Sequence, residues 1–101
     1  MEITDDVVQE FKGRMRVYHN HEDDRIESML EGSYAFLTNK CGHFSMDEPN
    51  QGKELVFERT RYVYHDAVEY FDVNYKSMVM NFMLRNLEEL KPDDEAVDGT
   101  L

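Results

Sequence analysis

Two histidines, His19 and His21, stand just ahead of Asp23 and Asp24, and the one thiol of the chain, Cys41, lies two residues before His43. These are the side chains best suited to metal or nucleophilic chemistry. A structural zinc site needs two close pairs of thiolates or imidazoles at a set spacing. Here the second pair has a single thiol, and the first lies in a helix-opening segment where Asp and Asn side chains serve as caps. Cys41 with His43 or His65 is the only Cys–His combination. Nothing around it resembles a nucleophile setting, and a solitary cysteine is most often a small buried hydrophobe. The five glycines are scattered, so there is no phosphate-cradling loop. The abundant carboxylates read as a solvated face. The expectation is a protein with no catalytic residues, no metal site and no cofactor: not an enzyme.

The remaining chemistry is that of binding. Lys12, Arg14 and Arg16 place three bases in five residues of a chain with 22 acidic and 11 basic residues and a net charge of −11. Gripping duplex DNA demands clustered positive charge, so acidity on this scale argues against it. The basic cluster, Arg14 and Arg16 above all, is better read as docking on an acidic surface of a neighbouring subunit. A second candidate surface comes from Tyr62, Tyr64, Tyr70, Phe71 and Tyr75, which follow Arg59 and Arg61. Tyrosine buries area while keeping a polar tip, and Tyr and Arg dominate association hot spots. Arg59, Arg61, Tyr64, Tyr70, Phe71 and Tyr75 are therefore expected in association, although core packing is the simpler role for the aromatics.

Helices must position these residues. Thr4 is placed to cap a first helix, with Asp5 and Asp6 in its opening turn and an apolar stripe at Val7, Phe11 and Met15. Asn20 or His21 opens a second helix, whose stripe is Ile26, Met29, Leu30, Ser33, Tyr34 and Leu37, and which ends near Lys40 before Gly42. Cys41 to Gly52 reads as a loop. A third, most buried helix starts around Asn50 to Lys53 and runs through His65. It either continues through Ala67 and Phe71 or breaks near Phe71–Asp72. A last helix from Tyr75 carries Tyr75, Val79, Phe82, Met83, Leu87 and Leu90 on one face, with Met78, Met80 and Leu84 off it. The spacing predicts an all-α domain over residues 1–90, a small bundle of three to four helices. Residues 91–101, with four acids after Pro92, are expected to form a flexible, disordered tail. No run approaches the ~18 apolar residues of a membrane span, and the acidic N-terminus is no signal peptide. One cysteine fits a reducing cytosol.

Three stretches resemble a known family. They are Phe11-Lys12-Gly13-Arg14-Met15-Arg16-Val17-Tyr18 followed by His21-Glu22-Asp23-Asp24; Asp47 to Glu54, continuing into Leu55-Val56; and Glu58-Arg59-Thr60-Arg61-Tyr62-Val63-Tyr64-His65-Asp66-Ala67-Val68-Glu69-Tyr70-Phe71 with Asn74-Tyr75. Their order and spacing resemble the small head–tail connector proteins (neck adaptor or DNA-packaging type) of long-tailed double-stranded-DNA phages. The resemblance implies a small helical bundle that forms a homo-oligomeric ring, about a dozen copies by family analogy, below the portal in the virion neck. It implies assembly in the host cytoplasm and three partners: copies of itself, the portal protein, and a stopper or tail-completion protein that docks on the ring. DNA would pass through without specific binding, and the C-terminal segment would reach towards the portal. The alternative from another class is a small acidic cytosolic regulator that imitates DNA and binds a basic protein.

Overall fold

The structure, a computed structural model, describes residues 2–90. The expected acidic tail, residues 91–101, lies outside them. Among the described residues the secondary structure is helical throughout, in five segments: α1 (Asp5–Met15), α2 (Asp23–Cys41), α3 (Gln51–Tyr64), α4 (Val68–Asn74) and α5 (Lys76–Leu90).

Helix α1 starts as its sequence dictates: the Val7 N–H donates to Thr4 Oγ1 at 3.3 Å. It ends at Arg16 without a glycine. Arg16 adopts a left-handed conformation (φ 60°), its N–H donating to Gly13 O and that of Val17 to Lys12 O, the paired closure of a Schellman motif. Helix α2 buries Ile26, Leu30, Ser33, Leu37 and Cys41, a stripe at helical spacing. Its N-cap is Glu22, with no side-chain cap bond. Neither Asn20 nor His21 takes the expected capping role, because Asn20 Oδ1 accepts from Lys12 Nζ at 2.9 Å instead and His21 donates its backbone N–H to His19 Nδ1. The helix runs one residue past Lys40 and closes at Gly42 (φ 89°), whose left-handed backbone suits glycine.

Asn50 organises the loop that follows. Its Oδ1 accepts from the Lys53 N–H at 2.8 Å, capping α3, while its Nδ2 donates to Ser45 O and Glu48 O. Helix α3 then buries Leu55, Val56, Phe57 and Thr60 and packs most extensively on α2.

The bundle has one more helix than the upper expectation of four. The third helix neither continues through Phe71 nor breaks at Phe71–Asp72; it stops at Tyr64. Asp66 is left-handed (φ 56°), its N–H donating to Val63 O and that of Ala67 to Tyr62 O at 2.8 Å. This second Schellman closure separates α3 from the short α4. Tyr75 then joins α4 to α5, with its N–H on Phe71 O and the Val79 N–H on its carbonyl.

One core unites the helices. Phe11 of α1 meets Phe57 of α3 at 5.7 Å between ring centroids. Phe44 of the loop is wedged edge-on between Tyr34 and Phe82, and Phe71 lies between Tyr62 and Tyr75. Val73 of α4 and Met80, Leu84 and Leu87 of α5 stay largely exposed, so these two helices keep an outer side that no other helix covers.

Candidate interaction surface

The basic cluster of α1 turns inward to its own chain. Lys12 is buried and reaches Asp23 at 2.6 Å. Arg14 makes a bidentate pair with Glu54 at 2.7 and 2.9 Å, and its guanidinium lies 4.6 Å from the Phe57 ring centre. These bonds raise the Arg14 pKa and hold the Glu54 carboxyl below its ordinary value, in both cases chiefly through the shared hydrogen bond. Lys53 of α3 reciprocates with Glu10 at 2.8 Å. Lys12, Arg14, Glu10, Lys53 and Glu54 thus clamp α1 to α2 and α3. Arg16, exposed and without an ion pair among the described residues, is the member of the cluster left facing outward.

The aromatic and arginine candidates divide. Phe71 is fully buried, because the α3–α4 turn lays that side of α4 onto Tyr62. It serves the core of the domain. Tyr75 is half-buried, stacked on Phe71 at 4.9 Å, with its hydroxyl donating to Glu58 at 2.9 Å; burial, then that bond, raises its pKa. Tyr64 donates to Glu22 at 2.7 Å, tying the end of α3 to the start of α2. That hydrogen bond lowers the Glu22 pKa and raises that of Tyr64. Arg61 is exposed and paired with Glu58 at 2.5 Å. Tyr70 is 59% exposed. Arg59 stacks on the Phe36 ring at 4.3 Å and donates to Ser33 Oγ at 3.1 Å. Its Nε is buried without a partner, and burial lowers its pKa against the opposing field of Asp72. The eight candidates therefore do not form one surface. Arg14, Arg59, Arg61, Tyr64 and Tyr75 are engaged within the chain, Phe71 is core, and only Tyr70 and Arg16 are exposed without such a contact among the described residues.

No family model, curated protein or solved structure matches this chain significantly.

A different surface emerges on α4 and α5. Val79 and Phe82 turn inward, while Met80, Leu84 and Leu87 are 46%, 60% and 44% exposed. Their spacing of four and three puts them on one outer stripe, and Val73 of α4, 74% exposed, extends it. Leu87, grouped from sequence with Val79, Phe82 and Met83, lies instead with Met80 and Leu84 on this outer stripe. Beside the stripe lies an open groove of about 700 Å³, walled by Phe36 and Lys40 of α2, Phe71 to Val73 of α4, and Lys76, Val79, Met80 and Met83 of α5. Sequence reasoning missed the groove. The signal was Phe36, a large aromatic off the α2 stripe, with Lys40 one turn later and 5.2 Å from its ring.

The histidines and the thiol stay apart. His19 stacks on His21 at 4.9 Å, His43 lies by the Tyr34 hydroxyl, and Cys41 is buried against the Val79 carbonyl. Burial pushes the thiol pKa up, which disfavours the nucleophilic thiolate. Among the described residues no three His, Cys, Asp or Glu side chains gather as a ligand set, and no helix is long and apolar enough to cross a membrane.

Proposed function

We propose that this chain is a structural subunit of a phage head–tail connector. It forms a ring below the portal, extends the DNA channel, and presents the surface on which a stopper or tail-completion protein docks. The observation that carries the reading is the outer stripe of Val73, Met80, Leu84 and Leu87 on α4 and α5. Large apolar side chains left in contiguous exposure mark association surfaces, and a chain with this much charge has ample polar residues to cover that side if it stayed alone. The resemblance in order and spacing over Phe11–Asp24, Asp47–Val56 and Glu58–Tyr75 supplies the kind of assembly. A ring of subunits each carrying −11 repels phosphates, which suits a channel through which DNA slides.

The test is assembly mass. The purified protein is measured by native mass spectrometry over a concentration series, then with the portal protein encoded in the same genome. A closed ring, and a stable complex with the portal, is expected. A subunit that stays monomeric and ignores the portal while capturing a basic protein overturns the reading and favours a DNA-mimicking regulator.

A further inference from the structure

The groove between α2, α4 and α5 differs from the rest of the surface in its charge. Half of the ten described cations are neutralised at home: Lys12, Arg14, Arg25, Lys53 and Arg61 each lie within 4.0 Å of a carboxylate. Five described cations have no such partner. Arg16 closes α1 and Arg85 bonds Gln51. The other three, Lys40, Arg59 and Lys76, surround the groove. Lys40 and Lys76 line it, and Arg59 lies on the Phe36 ring that forms its α2 wall. Asp72 is the one acid in the lining. An apolar trough edged by three un-neutralised cations, in a chain with twice as many acids as bases, is complementary to a segment that combines small apolar residues with carboxylates.

The chain contains such a segment. Lys91-Pro92-Asp93-Asp94-Glu95-Ala96-Val97-Asp98-Gly99-Thr100-Leu101 places four carboxylates around Ala96 and Val97. Extended, it spans up to about 36–40 Å. Helix α5 carries the chain about 10 Å beyond Met83, the last groove residue, before the segment begins, so a neighbouring copy is reached without reversing direction. We propose that residues 92–101 of one copy seat in the α2–α4–α5 groove of a second, with Ala96 and Val97 in the trough and the carboxylates against Lys40, Arg59 and Lys76. The contact joins two different surfaces, so it repeats head to tail and can close a ring. It deepens the self-association part of the connector reading and rests on that part alone.

Charge reversal in the full chain tests it. One variant carries K40E and K76E, a second D93K, D94K and E95K. Circular dichroism and melting confirm that each folds, and sedimentation velocity at low salt measures self-association. Each variant alone is expected to associate at least about tenfold more weakly than the parent. An equal mixture of the two regains most of the loss, because each groove then finds a tail of opposite charge. A folded groove variant that associates like the parent overturns the proposal. So does a parent that stays monomeric, or an equal mixture that associates no better than either variant alone. Portal binding is scored separately: a ring that forms and binds the portal regardless of these reversals removes the groove contact and leaves the connector reading standing.

Discussion

Replacing each of two helical glycines by alanine should move stability in opposite directions. Gly52 lies in the first turn of α3, where a Cβ would stand 2.5 Å from Phe44 Cδ1, 2.7 Å from Cγ and 2.8 Å from Cε1. Ordinary carbon contacts lie at about 3.5 Å or more, so the ring must retreat by roughly 1 Å. It has no free direction: Phe44 is 6% exposed and held edge-on by Tyr34 at 5.2 Å and Phe82 at 5.3 Å. Overpacking of this kind costs about 1–3 kcal/mol, and disturbing either aromatic pair adds about 0.5–1.5 kcal/mol. Alanine's better helix propensity returns at most about 1 kcal/mol. Gly52→Ala should therefore destabilise by about 1–3 kcal/mol. Gly32, exposed in the middle of α2, has open space where a methyl group would project, with no neighbouring atom within 4 Å. Gly32→Ala should accordingly stabilise by about 0.5–1 kcal/mol. Each kcal/mol moves the melting temperature of a chain this size by about 4–8 °C, well within reach of thermal denaturation followed by circular dichroism at matched low concentration. Equal stabilisation by both substitutions would refute the Phe44–Gly52 packing.

Other substitutions probe other features. Arg16→Gly relieves a left-handed residue and should stabilise by about 1 kcal/mol in urea titration; destabilisation would place the Arg16 side chain in a contact of its own. Phe71→Ala should cost about 3–5 kcal/mol, whereas Tyr70→Ala should stay within about 0.5 kcal/mol in the dilute subunit, a contrast that equilibrium unfolding checks. The Glu54 carboxyl is held below its ordinary pKa by Arg14, so its contribution is present above the unfolded-state value and fades as pH falls through the depressed folded value. Glu54→Gln should lose about 0.2–1 kcal/mol at about pH 7, as exposed pairs do, and match the parent in strong acid; a gap that persists there would break the linkage. With Lys12 and Arg14 held in internal pairs, the isolated protein should show no micromolar, salt-sensitive binding to random duplex DNA in an anisotropy titration.

Local signals carried much of the fold. The Thr4 cap, the start of α3 near Asn50, the α2 stripe and the Gly42 stop are each set by side chains a few residues apart, and these were legible. The break after Tyr64 was not, because its left-handed residue is Asp66 and neither glycine nor proline announces it. Nor was the α1 clamp: Arg14 and Glu54 are 40 residues apart, and only packing brings them together. The aromatic run predicted a surface, but the turn that ends α3 sends Phe71 inward and leaves Tyr70 outside. On α5 the pattern showed two apolar sides. Leu87 shares its outer side with Met80 and Leu84, a division set by where α2 sits and invisible in spacing alone.

The burial of Cys41 gives the protein a built-in reporter. Its side chain is 0% exposed beneath α5, whose Asn86 amide also donates to the Cys41 carbonyl at 2.9 Å. A thiol reagent reaches the sulfur only when α5 lifts from α2 or the whole chain opens. Where reclosing outpaces modification, the labelling rate gives the free energy of that opening directly. Comparing the labelling rate of the protein at low and high concentration would then read, from a single native atom, whether the proposed self-association holds α5 down and by how much.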